Sequence, residues 1–129
     1  MRAPPDVPGG APGGGAPLRP SQANNAYIFP ALGFGAALSR ATSLPDDTFI
    51  LAAEVLASLV SAKDLALGRL FPPLERIRDV SPRIAAAVAA QAVADRRGVA
   101  PLGVALAGGW EPYVRAQMWS PPPLLDAKL

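Results

Sequence analysis

The stretch SQANNAYIFPALGFG, residues 21–35, separates a part of this chain that has almost nothing to bury from a part that can fold. Glycine, proline and alanine dominate the residues before it, 1–19. Burial of so few apolar groups cannot offset the conformational entropy lost on ordering them. We therefore expect a disordered Gly/Pro-rich leader and a folded part that begins near residue 20.

The composition allows one thin core. The chain has 129 residues, which corresponds to one domain at most or a piece of one. Half of the residues are hydrophobic, but alanine dominates them and aromatic residues make up only 6%. Alanine buries little area, so the hydrophobic stabilisation available to this core is small.

Several classes of function are disfavoured by what the chain lacks. Its net charge is +2 and its arginines are scattered, whereas a nucleic-acid interface needs a basic patch. It has no cysteine and no histidine, which excludes thiolate nucleophiles, His-ligated zinc and Ser-His-Asp catalysis. The most apolar run, residues 84–94, is too short to span a bilayer. We expect neither a nucleic acid nor a membrane as partner.

The segment after the asparagine pair predicts a short strand followed by a helix. Residues 26–29 are aromatic or branched and favour an extended conformation. Pro30 suits the first turn of a helix from residue 32 to about residue 40, because its missing N–H has no helical partner there. Gly33 and Gly35 weaken this helix, which indicates that another backbone or a ligand approaches it closely.

A second helix is predicted from Pro45 to about Ser61. Asp46 and Asp47 fall in its first turn, where the helix dipole favours negative charge. Apolar residues then recur at three- and four-residue steps and form one apolar face. The adjacent acids also raise the alternative of a metal site, but no third oxygen ligand lies nearby in the sequence, so we favour the helix start.

A connector leads to the next long helix. Residues 63–67 are predicted to form one more turn, which Gly68 ends. Phe71, followed by two prolines, must be extended, and we interpret this stretch as a rigid connector. Nearby arginines offer the alternative of an anion site for phosphate or carboxylate, although surface positions are favoured: Arg69, Arg76 and Arg78.

The clearest helix signal starts at Ser81. Serine is a good N-cap, Pro82 suits the first helical position, and Gly98 is expected to end the helix. Isoleucine and valine form a narrow stripe between alanines along it, which predicts close packing on another helix or a sheet.

The last third is predicted to be mostly irregular. Residues 99–109 are apolar but loop-like, and a short helix follows over residues 111–118. Trp110 and Trp119 flank this helix and are expected to anchor its packing. The tail, residues 120–129, is predicted to be extended. Together these patterns predict a mainly α fragment with about four helices and one short strand, which depends on another chain or a longer chain to complete its core.

Four blocks of this sequence resemble the C-terminal end of malic enzymes. They are QANNAYIFP (22–30), an acidic pair followed by LAAEVLA (46–57), GRLFPPLERIRDVSPRIAAAVA (68–89) and WEPYVRAQMWSP (110–121). The blocks follow the family's order with family-like spacing, and the resemblance covers nearly all of the chain from Pro20 onward.

The resemblance implies part of an α/β Rossmann-type enzyme that oxidises L-malate and decarboxylates it to pyruvate. NAD or NADP accepts the hydride, and Mg²⁺ or Mn²⁺ polarises the substrate oxygen. It also implies three regions: the leader (1–19), the C-terminal part of the NAD(P)-binding and catalytic region (20–109), and a C-terminal helix and tail (110–129). Because the family oligomerises, association with malic enzyme subunits is expected.

The resemblance assigns the asparagine pair to the active cleft. In the family this pair lies where the chain leaves the dinucleotide-binding domain, and an asparagine amide contacts malate. An amide can donate to a carboxylate and accept from a hydroxyl without adding charge beside a metal. We expect Asn24 to contact substrate and Asn25, its neighbour, to contact substrate or the nicotinamide cofactor.

The rest of the catalytic machinery has no counterpart here. The family's metal-binding acids, catalytic tyrosine and lysine, and glycine-rich cofactor loop lie upstream of the matched region. Asp46 and Asp47 match a helix start in the family, and Lys63 and Lys128 do not match the context of the catalytic lysine. The family usually has glycine where this chain has Ala31, which is expected to perturb the turn beside the cleft. We therefore expect no catalytic residue, no metal ligand and no tight cofactor binding.

Three interpretations follow from these patterns. The first, which we favour, is a malic enzyme fragment that is inactive alone. The second is a helical interaction module that associates with full-length malic enzyme subunits. The third, an independent helical protein without redox chemistry, requires that the resemblance be accidental.

Overall fold

A computed structural model describes residues 18–121 of the chain. Within this range the chain forms six α-helices and two short 3-10 helices, and no strand. The 3-10 helices are Asn25–Tyr27 and Leu74–Arg76. The α-helices are α1 (Phe29–Ser39), α2 (Asp46–Ser58), α3 (Ala62–Ala66), α4 (Ile77–Ala94), α5 (Leu102–Leu106) and α6 (Trp110–Gln117). The prediction of a mainly helical fold is confirmed, but the predicted number of helices, about four, was too low.

The predicted leader and tail lie mostly outside the described residues, which exclude 1–17 and 122–129. The end of the predicted leader does fall inside them. The backbone N–H of Arg19 donates to the carbonyl of Leu67 at 2.8 Å. Arg19, which the prediction assigned to the disordered leader, is therefore tied to the fold by a distant backbone carbonyl.

The prediction of a strand at residues 26–29 is wrong. Asn25–Tyr27 form one 3-10 turn, and α1 begins at Phe29 with Pro30 in its first turn as expected. Aromatic and branched residues favour a strand only where a neighbouring strand can pair with them. Here Tyr27 is instead buried at 1% exposure among helices.

Close contact between α1 and α4 is the main packing interaction of the fold. A Cβ added at Gly35 would lie 2.5 Å from the carbonyl oxygen of Ala85 and 3.1 Å from Cβ of Val88. The predicted close approach is thus confirmed at Gly35. At Gly33 no other backbone approaches, since a Cβ there would meet nothing within 4 Å among the described residues, and a ligand at this position stays a prediction.

The acidic helix start is confirmed by α2. Asp46 and Asp47 occupy its first turn, and the helix ends at Ser58, slightly before the predicted end. The following turn, α3, is capped by Ser61, whose side chain accepts a hydrogen bond from the N–H of Asp64. Gly68 follows it with a φ of +73°, a conformation that glycine adopts without steric cost.

The predicted boundaries of α4 are wrong at both ends. The helix starts at Ile77, so Pro82 lies inside it rather than at its first position. Pro82 is also fully buried. It ends at Ala94, and Arg96 rather than Gly98 takes the left-handed conformation, with a φ of 58°. Gly98 instead permits close packing, since a Cβ there would lie 2.8 Å from the carbonyl oxygen of Ser39.

The apolar stretch 99–109 is not all loop, because Leu102–Leu106 forms α5. Val104 is its only buried residue. A Cβ at Gly103 would lie 2.7 Å from the ring of Tyr113, so this turn rests directly on α6. Tertiary contact therefore supplies a helix that the local sequence does not indicate.

The two tryptophans differ in role. Trp110 is partly buried and packs against the core, and its ring meets that of Tyr113 edge to face at 6.0 Å. Trp119 is 73% exposed, so the prediction that it anchors packing is wrong.

The core surrounds α4, which contacts α1, α2 and α6. Its larger buried side chains are Tyr27, Leu32, Leu56, Val80, Ile84, Val88 and Val114. Alanines fill the remaining positions, as the composition predicted. Within residues 18–121, no helix has the length and apolar character needed to cross a membrane.

Candidate functional site

The asparagine pair forms the start of a single tight turn. Asn24 has an extended backbone, and its Oδ1 accepts a hydrogen bond from the N–H of Ala26 at 2.9 Å, which makes it the cap of the 3-10 helix. Asn25 is the first residue of this helix and is exposed. Asn24 thus has one amide oxygen engaged, while the side chain of Asn25 has no hydrogen-bond partner among the described residues.

Tyr27 attaches this turn to the connector before α4. Its hydroxyl donates to the carbonyl of Pro72 at 2.6 Å, and its ring stacks on that of Phe71 with centroids 5.7 Å apart and planes 13° from parallel. The connector also binds the other end of the segment, because the N–H of Phe71 donates to Oγ of Ser21 at 3.0 Å.

Sequence reasoning did not identify Tyr27 as an anchor. The available signal was the pair Pro72–Pro73. Prolines have no N–H, so a connector made of them cannot satisfy neighbouring carbonyls through regular backbone bonds. Such carbonyls are therefore natural acceptors for a distant hydroxyl, and Tyr27 is one of the few hydroxyls in an otherwise apolar core.

The environment of Tyr27 keeps its hydroxyl protonated. Burial raises the pKa of Tyr27 above its ordinary value of 10.0, and the negative charge of Glu75 raises it further. The phenol therefore remains a hydrogen-bond donor to Pro72 throughout the neutral range.

An open cleft of ≈ 640 Å³ lies beside the asparagine turn. Its lining residues are neutral: Ala23, Asn24, Asn25, Ile28, Phe29, Phe49, Leu56 and Phe71. The two sequence-predicted site residues thus lie together on one wall, and apolar side chains of α1, α2 and the connector form the others. At 60% and 41% exposure, Phe29 and Phe49 leave apolar surface at this cleft open to solvent.

The cleft can orient a polar ligand, but the described residues that line it include no acid or base. Amide groups donate and accept hydrogen bonds without titrating, and aromatic walls suit a planar or apolar group. The chain has no histidine or cysteine. Within residues 18–121, no three acidic side chains cluster in a way that could hold a metal ion. The described residues therefore do not fit the Mg²⁺ or Mn²⁺ that the family resemblance implies.

The other candidate ligands have structural roles. Asp46 and Asp47 stay exposed in the first turn of α2, as expected of a helix start. Arg69 pairs with Asp64 at 3.1 Å, and Arg78 donates to the carbonyl of Trp119 at 2.9 Å. The pairing of Arg69 and Arg78 therefore gives no support to the alternative of an anion site.

Ala31 is inside α1 and 1% exposed, so it belongs to the core rather than to the turn beside the cleft. It also borders a second, smaller groove of ≈ 410 Å³ between α1, the start of α4 and the end of α6. That groove is largely apolar and contains neither asparagine.

Comparison with known proteins identifies the family. Residues 12–93 match the family model described as malic enzyme, NAD binding domain. An NADP-dependent malic enzyme of Populus trichocarpa is 51% identical over 73 residues, 57% of this chain and 12% of that protein. A hydrogenosomal malic enzyme of Neocallimastix frontalis is 36% identical over 107 residues, 83% of this chain and 18% of that protein.

A human NADP-dependent malic enzyme is 38% identical over 106 residues, 82% of this chain and 18% of that protein. The chain thus spans only 12% to 18% of the length of these relatives. The α/β dinucleotide-binding context comes from the family, since the described residues form no strand. With a family model matched over more than half of its residues, the chain belongs to the malic enzyme NAD-binding domain family.

Proposed function

We propose that this chain supplies one wall of the malate and nicotinamide cleft of an NAD(P)-dependent malic enzyme, and that it does not oxidise or decarboxylate malate by itself. The observation that carries the proposal is the placement of Asn24 and Asn25 on one wall of an uncharged cleft. Family membership supplies the substrate class, a small hydroxydicarboxylate.

The two amides divide the work of recognition. In our proposal Asn24 contacts substrate. Its Oδ1 caps the 3-10 helix, which fixes the side chain and leaves the Nδ2 hydrogens to donate to a carboxylate. Asn25 is exposed and has both amide atoms to offer, so it contacts the substrate hydroxyl or the nicotinamide carboxamide. Both interactions orient the ligand without changing its charge.

The reaction itself needs groups that are missing among the described residues of the cleft. A general base must take the malate hydroxyl proton, and an acid must protonate the enolate of pyruvate after carbon dioxide leaves. None of the lining residues within 18–121 can do either. NAD or NADP, when bound, accepts the hydride, and Asn25 and the aromatic wall at Phe71 are the residues we assign to hold its nicotinamide. We propose that other residues of a complete malic enzyme provide the base, the acid and the metal ligands.

The test combines binding and turnover on the full chain. L-malate is titrated into ¹⁵N-labelled protein, and the side-chain amide signals of Asn24 and Asn25 are followed. We expect saturable shifts that Asn25→Ala weakens and that Gln22→Ala leaves unchanged, since Gln22 is an exposed amide of the same segment outside the cleft.

Turnover is measured separately with L-malate, Mn²⁺ and either NAD⁺ or NADP⁺. We expect no malate-dependent formation of reduced nicotinamide by the chain alone. Sustained turnover would overturn the proposal that it is inactive by itself. Equal shifts in the Asn25→Ala and Gln22→Ala variants would overturn the assignment of the asparagine wall.

A second candidate function is association with full-length malic enzyme subunits. It is favoured by exposed apolar side chains: Phe29 at 60% and Phe49 at 41% line the cleft, and Ile50, the next residue of α2, is 60% exposed. Co-expression with a tagged family member tests it, and we expect a complex that Ile50→Glu disrupts. In the same scheme we propose residues 20–109 as the NAD(P)-binding and catalytic part and residues 110–129 as the C-terminal helix and tail.

A further inference from the structure

Segment 21–27 is held by the connector at both of its ends. At one end Oγ of Ser21 accepts from the N–H of Phe71, and at the other the hydroxyl of Tyr27 donates to the carbonyl of Pro72. The asparagine pair lies between these two attachments. A short segment fixed at both ends has few conformations, so its side chains keep one position relative to the connector.

The connector is also a wall of the cleft. Phe71 is among its lining residues, and the buried ring of Tyr27 stacks on the ring of Phe71. Tyr27 thus contacts the element that carries the amides and the element that carries an aromatic wall. Its position sets the distance between them, although it does not itself line the cleft.

We infer that Tyr27 is a positioning residue, whose hydroxyl bond to Pro72 holds the Asn24–Asn25 turn at the spacing that ligand binding requires. This inference rests on the proposed function for its ligand, but the geometry it concerns exists without a ligand. Tyr27 touches no substrate atom in this scheme and acts only through the asparagines.

Removal of one hydroxyl is the appropriate perturbation. Tyr27→Phe keeps the ring stacked on Phe71 and deletes only the bond to Pro72, leaving a buried carbonyl without its donor. Tyr113→Phe is the matched control, because Tyr113 is the other tyrosine, lies on α6 and contacts Trp110 and Gly103 through its ring. Ser21→Ala releases the other end of the segment without touching Tyr27.

The measurement is L-malate affinity of the full chain, taken from the amide signals of Asn24 and Asn25, together with the urea midpoint of unfolding. We expect Tyr27→Phe to raise the malate dissociation constant about fivefold, the loss typical of one net hydrogen bond. Ser21→Ala is expected to weaken binding in the same direction. Tyr113→Phe is expected to change neither affinity nor the amide signals.

Affinity separates positioning from stability. If Tyr27→Phe lowers the urea midpoint but the folded protein binds malate with unchanged affinity and unchanged asparagine signals, Tyr27 is only structural and the inference is overturned. Should Tyr27→Phe fail to fold, Ser21→Ala decides by the same two measurements. Unchanged affinity in that variant also overturns it.

The inference and the proposed function fail in different ways. If the parent chain shows no malate-dependent shifts, the proposed function fails. Hydrogen exchange of the backbone amides of Ala26 and Tyr27 in the ligand-free chain then tests whether the bond from Tyr27 to Pro72 holds the turn. Faster exchange in Tyr27→Phe than in Tyr113→Phe supports it, and equal exchange overturns it.

Discussion

Replacing Gly35 by alanine should disrupt the contact on which the fold depends. The new Cβ would lie 2.5 Å from the carbonyl oxygen of Ala85, which is backbone and cannot rotate away, and 3.1 Å from Cβ of Val88. Helices α1 and α4 must therefore move apart. Such overpacking costs about 1–3 kcal/mol, and a clash with a backbone atom falls in the upper part of that range, about 2–3 kcal/mol. The better helix propensity of alanine returns about 1 kcal/mol. We expect a net loss of about 1–2 kcal/mol in the free energy of unfolding.

Gly33 provides a matched control in the same helix. A Cβ there meets nothing within 4 Å, so Gly33→Ala keeps the gain in helix propensity without the clash. We expect it to stabilise the chain by about 0.5–1 kcal/mol. The two substitutions are chemically identical, and their difference of about 2–3 kcal/mol isolates the contact between the helices.

Urea unfolding followed by circular dichroism measures both variants. A Gly35→Ala variant at least as stable as the parent chain would refute the close approach of α1 and α4. A Gly33→Ala variant that is destabilised to the same extent would refute the propensity argument. Because α1 follows directly on the asparagine turn, Gly35→Ala should also shift the amide signals of Asn25, whereas Gly33→Ala should not.

Three further predictions concern single side chains. Oγ1 of Thr48 is buried without a hydrogen-bond partner in the described part of the chain, so Thr48→Val should stabilise the chain by about 1 kcal/mol in urea unfolding, and a loss of stability would contradict this. The pKa of Tyr27 is raised in the folded chain, so the contribution of its hydroxyl to stability is complete below pH 10.0 and is lost as the pH rises through the folded pKa. Alkaline unfolding curves of Tyr27→Phe should lack this pH dependence, and those of Tyr113→Phe should retain it. The hydrogen bond from Ser61, aided by Arg69, lowers the pKa of Asp64 below 3.8. The contribution of Asp64 to stability is therefore present above that pH and fades as the pH falls. In an NMR titration, Ser61→Ala should raise the pKa of Asp64, and an unchanged value would count against the cap.

Local signals in the sequence predicted some helices well. The start of α2 depends on Pro45 and the acids after it, whose preference for a helix N-terminus does not depend on the rest of the fold. The stop at Gly68 is similar, since only its own backbone conformation is involved. The start of α4 was misplaced because Ser81 and Pro82 carry a strong local signal that the buried interface overrides.

The candidate site was only half predictable. Asn24 and Asn25 stood out because adjacent amides before an aromatic segment matched a family pattern, and the structure places both on one cleft wall. Phe29 follows the asparagines in the same segment, but Phe49 and Phe71 complete that cleft from positions far along the sequence, where nothing local marks them as neighbours. Tyr27 was assigned to a strand from the aromatic and branched residues around it, since the carbonyl that it binds is 45 residues away and gives no local signal.

The sequence alone determined that this chain is mainly helical, that alanine limits its core, that it has no histidine or cysteine chemistry and that it resembles malic enzymes. These properties follow from composition and from signals spanning a few residues. Only the tertiary structure decided that residues 25–27 turn instead of extending, that Gly35 rather than Gly33 admits another helix, and that Tyr27 ties the asparagine pair to the connector. Each of these depends on contacts between residues distant in the chain, and such contacts arise only when the helices pack together.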